Sequence, residues 1–336
     1  MTDATSPPGP SSPGPASPGP ASSPDTGPTA ADLDPARFAT HWYDGRGFRQ
    51  AFVHEGRGGV PVMLVHGWPE TKRIWWRVIE PLAAAGFEVI VPDLRGFGES
   101  DVAPDVFGDT PSSSRDLHAL VHDHLGHDHV VLVGGDFGGP IVQDMALRFG
   151  DFADRMVLFN SPLPYDKERM AGLRSRSLSA TDYFIRQGAD ADALAAELAT
   201  PEQRRRYIAT FYSSRFWAHP GAFDDAAIDF QTEPFGDGRK LRASFGPYES
   251  AIDPTRRSEP AMIARNPDTP TVLLYGPSDH VIPPDFDRMA ALVFDDHVGP
   301  FLLRDCGHFV PWEAPHALVS TVTAFSRDLL APHPNG

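Results

Sequence analysis

The chain has 336 residues, 41% of them apolar, and a formal net charge of −16. That much apolar material can build a large core, while so acidic a surface repels phosphate backbones and argues against a nucleic-acid partner. A single cysteine, Cys306, excludes internal disulfides and a thiolate metal cluster, and no stretch reaches the roughly eighteen apolar residues of a membrane span.

The chain opens on a Pro/Ser/Gly-rich stretch, with nine prolines among the first thirty residues. Such a composition buries too little surface to repay the entropy of ordering, so residues 1–35 are predicted to be a disordered tail. The stretch lacks the basic start and apolar centre of a signal peptide, and a soluble, cytoplasmic protein is expected. Next, "FRQAFVHEG" (48–56) alternates weakly and predicts a strand of an antiparallel hairpin at a sheet edge. "VPVMLVHG" (60–67) is a continuous apolar run, "RVIEPLAAA" (77–85) is a helix, and "GFEVIVPD" (86–93) is a second apolar run. A further helix, "SRDLHALVHDHLG" (114–126), carries His118 and His122 at a spacing seen in helical metal ligands, with His124, His127 and His129 close behind. The segment reads as a surface helix and the turn before a strand, and no metal site is assigned to it.

"HVVLVGG" (129–135) and "DRMVLFN" (154–160) continue the strand series, and "TPTVLLYG" (269–276) and "GPFLLRD" (299–305) complete it. Runs of four to six apolar residues without alternation suit strands covered on both faces. Strands alternating with helices predict an α/β fold: a mostly parallel, eight-stranded sheet with helices on both faces. Between 161 and 266 the rhythm gives way to helical stretches such as "DADALAAELA" and "PEQRRRYIATFYSSRFWA". The expected organisation is a core of residues 36–160 and 267–336, with a helical cap, 161–266, over the strand ends where open α/β sheets bind ligands. The three arginines of the second stretch, Arg204 to Arg206, read as a solvated helix face.

Three strand ends carry chemistry. "VLVGGDFGGP" (131–140) places Asp136 in a strand-to-helix turn whose glycines, Gly134, Gly138 and Gly139, make room for one strained, exposed residue. "YGPSDHVIP" places Asp279, and "RDCGHFVPWEAP" places His308, just past two later strands. The chain order of nucleophile, acid and histidine is that of the α/β-hydrolase triad. After the first central strand, "HGWPET" brings in His66, Trp68 and Pro69 as a substrate-contacting loop that His66 also braces. The backbone amides of Trp68 and Phe137 are placed to form an oxyanion hole. Trp75 and Trp76, further on, are expected in the core.

With "HGWP", "PDLRGFGESD" (92–101), "GGDFGG", "YGPSDHVIP" and "GHFVPWEAP", the sequence resembles the α/β-hydrolase superfamily from about residue 40 to 330. Within it, the resemblance is to the branch of epoxide hydrolases and haloalkane dehalogenases with an aspartate nucleophile. It implies Asp136 as nucleophile, His308 as base, Asp279 as its orienting acid, a helical cap, and no cofactor. It also implies two cap tyrosines that hold an epoxide oxygen. "KLRASFGPYESAI" (240–252) offers Tyr248 for one. The other position falls on Ser213 in "FYSSRFWAHPG" (211–221), with Tyr212 beside it as the substitute.

An aspartate attacking a carbonyl would give an anhydride, whereas attack on a saturated carbon bearing a leaving group gives a stable ester. The expected substrate is therefore a small apolar epoxide or alkyl halide. The ester is then hydrolysed by water that His308 deprotonates. The dehalogenases of this branch carry tryptophan or arginine after the nucleophile. Phe137 has no donor to grip a halide, which favours the epoxide. A dehalogenase with another halide cage and an idle ligand-binding homologue are the alternatives. Oligomeric state is left open.

Overall fold

The computed structural model describes residues 27–175 and 182–330. The apolar runs become strands of one sheet: β1 (Thr40–Gly45), β2 (Phe48–Glu55), β3 (Val60–Val65), β4 (Phe87–Pro92), β5 (Val130–Gly135), β6 (Ala153–Phe159), β7 (Thr271–Tyr275) and β8 (His297–Leu302). Their order across the sheet is β1-β2-β4-β3-β5-β6-β7-β8. Strand β2 runs antiparallel to both of its neighbours, and all later pairings are parallel. In β4 and β5 every residue is buried, odd and even positions alike, so the centre of the sheet is covered on both faces.

Helices connect the parallel strands. α1 (Ile79–Ala84) lies between β3 and β4, and α2 (Thr110–His118) between β4 and β5, continuing into a π-helical stretch, Ala119–His124. α3 (Gly138–Arg148) leads from β5 to β6. Between β6 and β7 the described residues form six short α-helices and no strand: α4 (Asp182–Ala189), α5 (Ala191–Glu197), α6 (Pro201–Tyr212), α7 (Asp225–Thr232), α8 (Gly238–Ala243) and α9 (Gly246–Ile252). α10 (Phe286–Val293) precedes β8, and α11 (Val310–Glu313) and α12 (Pro315–Phe325) follow it. No helix of the described residues is long and apolar enough to cross a membrane.

Three details depart from expectation. Of the expected tail, residues 1–26 lie outside the described residues, but Ala30–Leu33 wind a 3-10 turn under a Thr29 capping box. That turn is anchored because Asp32 pairs with Arg37 and the Trp76 indole N–H donates to the Asp34 carbonyl at 2.9 Å. The last strand begins at His297, two residues before the expected run, and it sits at the sheet edge with Phe301 and Leu302 exposed. Arg204 is not merely solvated: it donates to the carbonyls of Leu198, Ala199 and Gly236 and ties three turns of the insertion together. Trp75 and Trp76 are buried in the core.

Candidate active site

Asp136 follows β5 with φ of +43°, a conformation that side chains other than glycine rarely adopt. It is held there from both sides. Its N–H donates to the Asn160 carbonyl at 3.0 Å, and its own carbonyl accepts from Gly139 at 3.1 Å. The glycines permit the turn: a Cβ on Gly138 would strike the Val65 carbonyl, and one on Gly139 would strike the Ser161 hydroxyl. The carboxylate, 13% exposed, has Oδ1 accepting from the Trp68 amide at 2.7 Å, while Oδ2 lies 3.2 Å from His308 Nε2.

His308 is buried on the loop after β8, with its backbone N–H donating to the Trp217 carbonyl at 2.7 Å. Its Nδ1 meets Asp279 Oδ2 at 2.8 Å. Nε2, on the far side of the ring, is close to Asp136 but out of line for a hydrogen bond. Burial alone would lower the histidine's pKa; the Asp279 and Asp136 carboxylates outweigh it and raise the imidazole well above its usual range. Asp279 is fixed in turn by the amides of Val281 at 2.6 Å and Ile282 at 3.4 Å, and by the Asn160 side-chain amide at 2.7 Å. Asn160, at the end of β6 with φ of +39°, thus touches the backbone of Asp136 and the side chain of Asp279 at once. Sequence reading passed over it. A polar residue immediately after an apolar strand run, in the same place as the two aspartates, was the available signal.

A cavity of about 540 Å³ opens over Asp136, lined by Phe137, Leu163, Tyr183, Tyr248, Ile282 and other mostly apolar residues. Tyr248, from α9, is among the residues that line it. Tyr212 is not: its hydroxyl is buried and donates to the Pro69 carbonyl at 2.6 Å, because the last turn of α6 faces the loop after β3. Ser213 likewise turns back on its own helix, donating to the Ala209 carbonyl. The phenol beside Tyr248 is instead Tyr183, from the first turn of α4, with its ring centroid 5.9 Å from that of Tyr248; Tyr165 also lines the cavity but is exposed. The two helices approach closely because α4 carries Gly188 where any Cβ would strike Ile252 and the Tyr248 carbonyl. The indole of Trp68 backs both phenols, with centroids 6.0 Å from Tyr183 and 5.4 Å from Tyr248. Burial, and after it the neighbouring charge of Asp136, raises Tyr183 well above the ordinary phenol range. Burial, Tyr183 and Asp136 raise Tyr248. Both phenols therefore remain protonated donors at any working pH.

His66, Trp68 and Pro69 support the site from behind and do not line the cavity. Buried His66 accepts from the Leu94 amide at Nε2, 3.0 Å, and so donates from Nδ1 to the Gly67 carbonyl, 2.9 Å. Burial lowers its pKa to about 4, against the raising effect of the Asp93 carboxylate and the Gly67 carbonyl. Trp68 turns its indole N–H to Ser244 Oγ at 3.2 Å. Glu70 accepts from the Gly67 amide at 2.6 Å, and burial, with Asp136 nearby, pushes it up to about 7. Among the described residues, the one group spaced to hold a metal ion is His118, His122 and Asp123, on α2 and the π-helical stretch, outside the cavity.

The sequence matches the alpha/beta hydrolase fold family over residues 60–315. It is 27% identical over 288 residues to a soluble epoxide hydrolase of Corynebacterium sp. (strain C12), covering 84% of this chain and 95% of that one. It is 26% identical over 302 residues to an epoxide hydrolase of Caballeronia sordidicola, covering 82% and 90%. Among solved structures, "Epoxide hydrolase CorEH without ligand" superposes with a TM-score of 0.74 at 24% identity, over 87% of this chain and 99% of that one.

Proposed function

Because the chain belongs to the alpha/beta hydrolase fold family, we propose that it is an epoxide hydrolase that converts small apolar epoxides to diols through an ester on Asp136. The observation that carries this reading is the shared cavity: the Asp136 carboxylate faces the Tyr183 and Tyr248 phenols, whose hydroxyls have no hydrogen-bond partner among the described residues, while the third tyrosine of the lining, Tyr165, is exposed and no indole N–H lines the same space. Epoxide hydrolase relatives aligned over most of the chain support it.

The geometry supports the following course. Asp136 Oδ2 attacks a ring carbon, the C–O bond breaks, and its electron pair goes to the epoxide oxygen, which takes its hydrogen bond and then a proton from Tyr183 and Tyr248. The product is an ester whose carbonyl oxygen is Oδ1, already seated on the Trp68 amide. Ester formation removes the Asp136 charge, one of the two that hold a proton on His308, so the imidazole becomes a competent base once the ester exists. Water deprotonated at Nε2 then attacks the ester carbon. Negative charge gathers on Oδ1, where the amides of Trp68 and Phe137 receive it; the Cγ–Oδ2 bond then breaks, Oδ2 leaves on the diol and takes the proton from His308, and the proton left on the Asp136 carboxyl returns through solvent to the phenolate. A halide, by contrast, would find no indole N–H among the described residues of the lining. At about 540 Å³ the cavity falls within the range that encloses drug-sized ligands, which favours substrates larger than the smallest alkyl epoxides.

Incubating His308→Gln with a styrene-oxide-type substrate should leave a stable adduct on the Asp136 peptide by intact-mass and peptide mass spectrometry. Wild-type protein should release diol from epoxides and no halide from haloalkanes. Absence of any adduct, with diol formation also absent, removes the covalent reading; halide release would move it to the dehalogenases.

A further inference from the structure

Glu313 closes α11 as a half-buried carboxylate that takes no part in the steps above, and both of its oxygens face main-chain N–H groups. Oε2 accepts from Gly307 at 2.7 Å and from His219 at 2.8 Å, and Oε1 accepts from Phe309 at 2.9 Å. Gly307 and Phe309 are the residues on either side of His308, whose own amide goes to the Trp217 carbonyl. All three consecutive amides of the histidine loop are thereby committed, two to one side chain and one to the insertion. The insertion segment Phe216–His219 is docked on the acid loop as well: the His280 amide donates to the Phe216 carbonyl at 2.9 Å, and His219 Nδ1 lies 3.0 Å from Ser278 Oγ. There is no room to relax at this junction, since a Cβ on Gly307 would strike the Trp217 carbonyl.

We infer that Glu313 is a positioning residue for the base: its two oxygens fix the backbone on both sides of His308 and lock that loop to the Phe216–His219 segment, so that seating of the insertion and alignment of the imidazole are one event. A carboxylate is required because three donors converge on two acceptor atoms. A glutamine at this position has one acceptor and turns N–H groups toward N–H groups, so it must release either Phe309 or the Gly307 and His219 pair. Burial pushes Glu313 up to about 7, against the lowering effect of the three amides.

The inference rests on the proposed division of labour, in which Asp136 forms the ester and His308 hydrolyses it, and a misaligned base should damage only the second half. Rapid-quench mass spectrometry with styrene oxide measures both halves. Glu313→Gln is expected to form the ester at a rate within about twofold of wild type, while hydrolysis slows by at least about tenfold and ester accumulates in the steady state. Glu313→Asp, which keeps both acceptors on a shorter arm, should hydrolyse faster than Glu313→Gln. Equal slowing of the two half-reactions, an unaffected hydrolysis step, or failure of both variants to fold would overturn the inference, the last because the role would then be global. If His308→Gln yields no ester, the proposed function itself has failed, whatever Glu313 does.

Discussion

Four of the five tyrosines of the insertion, Tyr183, Tyr207, Tyr212 and Tyr248, carry the same hydroxyl into its packing, and what separates them is the partner each hydroxyl has found. Tyr207 receives the Gln187 amide at 2.9 Å and Tyr212 donates to Pro69, whereas Tyr183 and Tyr248 present theirs to the cavity. Replacing either cavity tyrosine by phenylalanine should slow ester formation by about a hundredfold while hydrolysis of a formed ester changes little, as stopped-flow measurement of the two phases would show. Tyr212→Phe should do the reverse of a catalytic change: it leaves the Pro69 carbonyl unpaired, lowering stability by about 1–3 kcal/mol in urea unfolding with ester formation unchanged. A hundredfold loss of ester formation in Tyr212→Phe would return the donor role to that residue. The contrast also marks what a sequence can disclose. Asp136, Asp279 and His308 each sit within a few residues of an apolar strand run, so local pattern locates them. Tyr183 is brought to Asp136 by the packing of α4 on α9, a contact between helices about sixty residues apart for which no local spacing exists.

At the scale of elements, the junction of β5 and α3 sets the tolerance of the whole site. The helix begins against the end of β3, so closely that Gly138 has no space for a methyl group beside the Val65 carbonyl, a main-chain atom that cannot swing aside. Gly138→Ala should therefore cost at least about 1–3 kcal/mol in denaturant unfolding. Gly236→Ala, where the added atom meets nothing closer than 3.8 Å, should leave stability nearly unchanged. Equal unfolding midpoints for the two variants would show that the elbow has slack. Strands were legible because buried β-branched runs have few other uses, and β3 through β7 fall on the runs that suggested them. β8 was displaced by two residues and is only partly covered, since the short run "GPFLLRD" carries no mark of whether a neighbour will lie on its far side. In the insertion, helices were recognisable but their faces were not. The register of α6 decides that Tyr212 points at Pro69, and that register is fixed by tertiary contacts with Phe223 and Phe309.

For the molecule as a whole, the buried acids make stability depend on pH. Glu70, held up to about 7 in the fold against an ordinary 4.5, binds a proton in the folded chain that the unfolded chain has already released, so its contribution to stability is present below about 4.5 and is lost as pH rises toward 7. His66, lowered to about 4, works in the other direction, and its contribution is lost as pH falls below 6.5. Glu70→Gln should flatten the decline between pH 5 and 7 by up to about 3 kcal/mol in urea unfolding at the two pH values. An unchanged pH slope would mean that Glu70 is already ionised at pH 5. One topological fact bears on how this protein could acquire new chemistry. The insertion leaves the sheet after β6 and rejoins it at β7, and those two strands are hydrogen-bonded neighbours from Met156 and Thr271 to Phe159 and Leu274. Beyond Asn160, which must stay to hold Asp136 and Asp279, the connection can be exchanged like a cartridge between two fixed terminals without re-threading the catalytic trio. The graft has a further condition: any replacement must still offer main-chain carbonyls where Phe216 and Trp217 now receive His280 and His308.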